Sequence, residues 1–134
     1  MVNAISGKQL MVSVNNDVGA LSRAAGIVAE AGINLVAVCA YVIDNKGFIL
    51  FVTEDNNRAK SILKSKKYEV SEEEVIIVTL DNKPGTLKSV TEKIANIGVD
   101  LTLLYGSVEN KGKTSKVVIV SENNKLALAA ITKN

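Results

Sequence analysis

The chain has 134 residues, with 16 Lys and Arg against 14 Asp and Glu and no His, so its formal charge at neutral pH is only +2. That balance does not by itself make a nucleic-acid or membrane surface, and 47% hydrophobic with 22% charged residues excludes a disordered or fibrous chain. Without histidine there are no Ser-His or Cys-His nucleophilic pairs and no zinc sites of the usual kinds, so no catalytic residue, metal ligand or cofactor site is singled out.

The opening residues, Met1 to Lys8, lack a basic stretch followed by a long apolar one, and the longest apolar run, Leu35 to Ile43, is too short to span a bilayer. The expectation is a cytoplasmic protein with no membrane partner. From Leu10 onward, Leu10, Val12 and Val14 alternate with Met11 and Ser13, the period of a strand with one face inward. After a turn at Gly19, Val18, Leu21, Ala25, Val28 and Ala29 fall at helical spacing, and Gly32 stands where a left-handed helix cap needs glycine. Leu35 to Ile43 and Phe48 to Thr53 then flank the polar turn Asp44-Asn45-Lys46-Gly47, a hairpin. Cys39 lies within its first strand as the only cysteine, which excludes an intrachain disulfide and predicts a buried, inert thiol. Ala59, Ile62 and Leu63 mark a second helix, and Tyr68-Glu69-Val70 a short last strand. The flanking runs Ser65-Lys66-Lys67 and Glu72-Glu73-Glu74 read as solvated connector charges.

The same series then repeats. Asn16-Asp17-Val18-Gly19-Ala20-Leu21 returns as Asn82-Lys83-Pro84-Gly85-Thr86-Leu87, and Ala31-Gly32-Ile33-Asn34-Leu35 as Ile97-Gly98-Val99-Asp100-Leu101, both at an offset of 66 residues. Ile76, Val78 and Leu80 repeat the first strand; Leu87, Val90, Ile94 and Ala95 the first helix; Leu101 to Val108 and Lys116 to Val120 the hairpin; Ala127, Ala130 and Ile131 the second helix. The reading is an α+β chain of two tandem ferredoxin-like (βαββαβ) units with antiparallel sheets, residues 1–71 and 72–134. The chain reaches Asn134 before the second unit gains a last strand; either the unit lacks it, or Val2 to Ser6 supply it from ahead of the first strand. Because Leu35 to Ile43 is apolar at both parities, it predicts a covered second face, against the second copy or another chain, and from this a homodimer.

The doubled turn motif, with its downstream Gly-Ile/Val-Asn/Asp-Leu at a constant distance, resembles the ACT domain, a small-molecule-binding regulatory module best known for sensing amino acids. Taken whole, from about Leu10 to Ile131, the chain resembles stand-alone proteins made of two ACT domains. It departs from the family pattern at Val18, where proline is usual and where the second copy has Pro84. A free amino acid presents a carboxylate, which backbone N–H groups at a helix N-terminus can accept, and an ammonium, which needs side-chain oxygens. The amides of Val18, Gly19 and Ala20, and in the second copy those of Gly85 and Thr86, stand where the helices begin. The resemblance implies a ligand between neighbouring units, one site combining Asn16 with Asp100 and its mate combining Asn82 with Asn34. The negative Asp100 then makes the first the tighter site for an ammonium.

Other functions fare worse. Lys46-Gly47-Phe48-Ile49-Leu50-Phe51-Val52 is superficially like an RNA-binding strand, but Phe48 and Phe51 are an odd number of positions apart and point to opposite sheet faces, so no nucleic-acid partner is expected. Tyr41 and Tyr105 read as core or interface residues rather than ligand stackers. The alternative to an amino-acid sensor is a regulatory interaction subunit that docks onto a metabolic enzyme without strong ligand binding of its own.

Overall fold

The computed structural model describes residues 2–15, 17–107 and 113–133. The elements run β1 (Val2–Asn15), α1 (Ala20–Glu30), β2 (Leu35–Ile43), β3 (Lys46–Thr53), α2 (Asn56–Ser65), β4 (Glu69–Asp81), α3 (Thr86–Asn96), β5 (Leu101–Ser107), β6 (Thr114–Ser121) and α4 (Asn124–Thr132). No helix among the described residues is long and apolar enough to cross a membrane. The chain divides into two compact units, Lys8–Glu73 and Met1–Gly7 with Glu74–Asn134.

In the Lys8–Glu73 unit the strand order is β2-β3-β1-β4, with β1 and β2 both antiparallel to β3. Leu10 faces Phe51 and Val12 faces Ile49 across the β1–β3 ladder, and these four residues meet Ala24 and Val28 of α1 and Ala59 and Leu63 of α2 in one core. The buried stripe of α1 is therefore Ala24 and Val28, one turn apart, while Leu21, in the first turn, is 44% exposed. A full Schellman cap ends α1: the Gly32 N–H reaches Ala29 O at 2.9 Å and the Ile33 N–H reaches Val28 O at 3.3 Å.

The other unit repeats this with order β1-β4-β6-β5. Ile76, Val78 and Leu80 of β4 and Val117 and Ile119 of β6 meet Val90 and Ile94 of α3 and Ala127 and Ile131 of α4. Of the two alternatives for its last strand, the second holds: Val2 to Ser6 lie in β1, and Ala4 joins this core with Val2 against it. Smaller devices repeat as well. Asn56 Oδ1 accepts the Thr53 N–H and hydroxyl and its Nδ2 donates to Lys8 O, while Asn124 does the same for Ser121 and Glu74 O.

Some local expectations need correction. The run Glu72-Glu73-Glu74 is not a connector; β4 passes through it without a break. Its side chains find partners instead of solvent alone: Glu72 pairs with Lys60 at 3.2 Å and Lys8 at 3.7 Å, and Glu73 Oε1 accepts from the buried Gln9 Nε2 at 2.7 Å. The Lys60 ammonium at Glu72 holds its carboxyl below the usual carboxylate range. Within the single chain β3 is buried along most of its length while β2, at the edge of the sheet, stays mostly exposed. Cys39, on that edge strand, is accordingly only half-buried.

Candidate functional site

Strand β1 runs into α1 through a turn closed by three local bonds. Asp17 N–H reaches Asn15 O at 2.9 Å, Ala20 N–H reaches Asp17 O at 3.3 Å, and Arg23 N–H reaches Gly19 O at 3.0 Å. Gly19 is the N-cap of α1 in the left-handed region, φ 85°, a conformation that L side chains resist. Gly85 does the same for α3 at φ 90°.

The way the four helices begin sets the two turns apart. In α2 and α4 the capping side chain does the work that isolated N–H groups require: Asp55 accepts from Arg58 N–H and Asn123 from Leu126 N–H, each at 3.1 Å. In α1 and α3 the cap is glycine, no side chain accepts, and no acidic residue stands in the first turn. Among the described residues, the N–H groups of Val18, Gly19, Leu21 and Ser22 have no acceptor, and neither do those of Gly85, Leu87 and Lys88. Thr86 differs, because its N–H and hydroxyl both reach Lys83 O, at 3.4 and 3.0 Å.

Beside the first turn lies a groove of about 260 Å³, floored by Val14, Ala40, Val42 and Ile49 and bounded by Gly19 to Ser22 of α1. Tyr41 and Phe48, opposite each other in the β2–β3 ladder and stacked with ring centroids 5.5 Å apart, alternate with the floor residues Ala40, Val42 and Ile49, so their rings lie on the sheet face away from α1. Lys46 Nζ lies 6.0 Å from the Phe48 ring. On the other side of the turn is a polar cleft of about 340 Å³, lined by Asn15, Asp17, Arg23, Lys46, Lys67 and Glu69 among others. Arg23 belongs to that cleft; its guanidinium pairs with Asp17 Oδ1 at 2.5 Å and donates to Val18 O at 3.1 Å.

The expected residues are found as follows. Asn16 lies outside the described residues. Val18 is 98% exposed and carries no groove contact, whereas Gly19 and Ala20 line the groove. Asn34 is exposed at the start of β2, its carbonyl accepting the Glu54 N–H at 3.1 Å. In the second unit the Asn82 N–H reaches Lys113 O at 2.9 Å, and Gly85 and Thr86 open α3. Asp100 is exposed, accepts the Glu122 N–H on its carbonyl at 3.0 Å, and lines a hollow of about 450 Å³ with Thr91, Gly98 and Leu101. Neither Asn34 nor Asp100 meets the glycine turn of its own unit, since an 11-residue helix, about 16 Å long, separates the two ends.

Arg23 was not among the expected site residues. The stacking of Tyr41 on Phe48, on the sheet face away from the groove, was hidden by turn length. The hairpin closes on two residues, Asp44 and Asn45 at φ 51° and 64°, rather than on the four expected, and only the shorter loop sets Tyr41 against Phe48. No group of three or more His, Cys, Asp or Glu side chains positioned to hold a metal ion occurs among the described residues.

A family profile described as an ACT domain pair matches residues 5–134. Protein BT0572 from Bacteroides thetaiotaomicron has a similar structure, with a TM-score of 0.88 and 26% identity over 96% of this chain and 88% of that one. The regulatory subunit of aspartate kinase from Thermus thermophilus, in its ligand-free form, gives a TM-score of 0.67 at 14% identity over 97% and 93% of the two chains. The corresponding subunit from Thermus flavus gives 0.64 at 15% identity over 97% and 94%. Those last two likenesses speak for the fold alone. No curated protein matches the chain.

Proposed function

Because the chain belongs to the family of ACT domain pairs, we propose that it is a non-catalytic regulatory sensor that binds a free amino acid where the first helix of a unit begins. The observation that carries this reading is the contrast at the cap residues: Asp55 and Asn123 cap α2 and α4 with their side chains and have their own N–H groups bonded, while Gly19 and Gly85 offer no side-chain acceptor and their N–H groups have none among the described residues. A carboxylate is the anion such donors accept, helped by the positive end of the helix dipole. Each charge-assisted bond contributes about 1.5 to 3 kcal/mol, so a few of them together with partial burial of the ligand's side chain are consistent with roughly micromolar affinity.

The ammonium is left to Asn16 and Asn82 and to the residue that opens the second strand of a neighbouring unit, Asp100 or Asn34. On this reading the Asn16/Asp100 site is the tighter, and it loses more affinity with added salt than the Asn82/Asn34 site, because only the former pairs full charges. Calorimetry on Asp100→Asn and Asn34→Ala tests the ranking: the first substitution is expected to weaken the stronger site and the second the weaker. Unchanged binding in Asp100→Asn together with lost binding in Asn34→Ala contradicts it.

The exposed apolar edge of β2 supports an assembly role as well, with a second copy of this chain as the expected occupant and a metabolic enzyme as the alternative one.

A further inference from the structure

The exposed edge strand β2 does not end the apolar surface on its side of the sheet. Val38, Ala40 and Val42 share the face that carries α1, and all three are exposed. Leu21 and Ser22 border the groove above Ala40 and Val42, so this flank of α1 is the one that looks over the edge. Ala25, Gly26 and Ala29 continue the flank at helical spacing, none of them fully buried and none charged.

Gly26 has no purpose inside the chain. Glycine in a helix interior is disfavoured against alanine, and a Cβ at this position would meet nothing within 4 Å. A close approach from outside the chain accounts for the missing side chain.

The duplication supplies a control. At the offset of 66 residues Ser22 and Gly26 become Lys88 and Glu92, an exposed ion pair one turn apart on α3 with 3.3 Å between its charged atoms. That flank also borders its edge strand, since Thr91, Glu92 and Ala95 share a hollow with Leu101 of β5. The strand itself is more polar: Val36 is matched by Thr102, whose hydroxyl donates to Val120 O at 3.2 Å, and Tyr41 by Ser107. Docking the first flank on the second would take Lys88 and Glu92 out of water against a surface that offers them no partner. Docking it on its own copy brings no charge into the contact. Across a twofold axis between Ala25 and Gly26, Ser22 opposes Ala29 and Ala25 opposes Gly26, while the nine uncharged residues of β2 run antiparallel to themselves.

We propose that a second copy of this chain docks like with like, first unit to first unit, through the β2 edge and the flank of α1 that bears Ser22 and Gly26, and that the corresponding flank of the second unit takes no part. This rests on the assembly role given to β2 and is independent of amino-acid binding. The test is sedimentation of the full chain over a range of concentrations. The double variant Ser22→Lys, Gly26→Glu carries the residue types of the second unit and exchanges a glycine for a better helix former. It is expected to raise the dimer dissociation constant at least tenfold while keeping its circular dichroism, whereas Lys88→Ala, Glu92→Ala is expected to leave that constant within twofold of the parent. An unchanged constant in the folded first variant, or a tenfold weakening by the second, overturns the proposal and leaves assembly through another surface standing. A parent that is monomeric at all concentrations overturns both. If the first variant does not fold, cross-linking decides: in a Cys39→Ser background, Ala25→Cys is expected to give a disulfide-linked dimer with diamide and Thr91→Cys is not, and the reverse pattern, or no linkage of either, overturns the proposal.

Discussion

Gly19 and Gly85 hold the same left-handed conformation in different surroundings, which separates backbone cost from crowding. A Cβ at Gly85 meets nothing within 4 Å, while at Gly19 it comes within 3.3 Å of the Arg23 guanidinium. Gly85→Ala is therefore expected to lower stability by about 1 to 2 kcal/mol through conformation alone, measured by urea unfolding. Gly19→Ala is expected to cost a similar amount, since the flexible Arg23 can withdraw, and also to disturb the Asp17–Arg23 pair. Equal stability of Gly85→Ala and the parent would contradict the role given to φ here. Arg23→Ala by itself is expected to cost no more than about 1 kcal/mol, because its ion pair is exposed and screened. These glycines were legible in the sequence because the chain prints them twice at one spacing. Arg23 was not, because nothing in its helix position says that it folds back on the turn.

Among the elements, β1 and β4 carry most of what the sequence concealed. Each is a long strand shared between units, Val2–Asn15 and Glu69–Asp81, yet each contains a polar stretch that reads as a break. In β1 the stretch Ser6-Gly7-Lys8-Gln9 interrupts the apolar alternation, and in β4 three glutamates do so. The strands continue because partners on other elements satisfy those groups: Gln9 with Glu73 and Lys8 with Glu72 across strands, and Lys60 of α2 with Glu72. Single-strand periodicity cannot show a partner on another strand. The Glu72 pairing also has a pH signature. Its carboxyl titrates below the ordinary carboxylate range, so the unfolded chain binds the proton more readily. The stability it adds is present above the unfolded carboxylate pKa of about 4.3 and is lost as pH falls through the lower folded value. Urea midpoints of the parent should exceed those of Glu72→Gln at pH 7 and converge with them in strong acid; a constant difference across pH would contradict this. The helix caps are local: Asp55 and Asn123 each stand one residue before the helix whose N–H group they accept. Asp55→Ala and Asn123→Ala are each expected to cost about 0.5 to 2 kcal/mol.

At the scale of the molecule the duplication made the fold class readable, because two weak patterns at a common offset confirm each other where one would not. What duplication cannot reveal is difference in use. The same turn and helix recur, but the first copy carries a stacked Tyr41–Phe48 pair on the sheet face away from α1, and that pair depends on a hairpin two residues tighter than the spacing of apolar runs implied. Assembly belongs to this scale too. Edge strand β2 exposes Val38, Val42 and Ile43 at 48, 53 and 56%, an edge that soluble proteins seldom leave open. Sedimentation is expected to give a dimer of the 14.2 kDa chain that Val38→Lys weakens; a monomer at all concentrations would contradict this expectation. The central claim, that an amino acid's carboxylate docks on the open amides at the start of α1, is tested most directly by following backbone amide resonances while L-leucine is added. Progressive, saturable shifts of Gly19, Leu21 and Ser22, with Leu126 at the side-chain-capped start of α4 unmoved, are the predicted result. Shifts confined to other parts of the chain, or none at all while leucine binds, would contradict it.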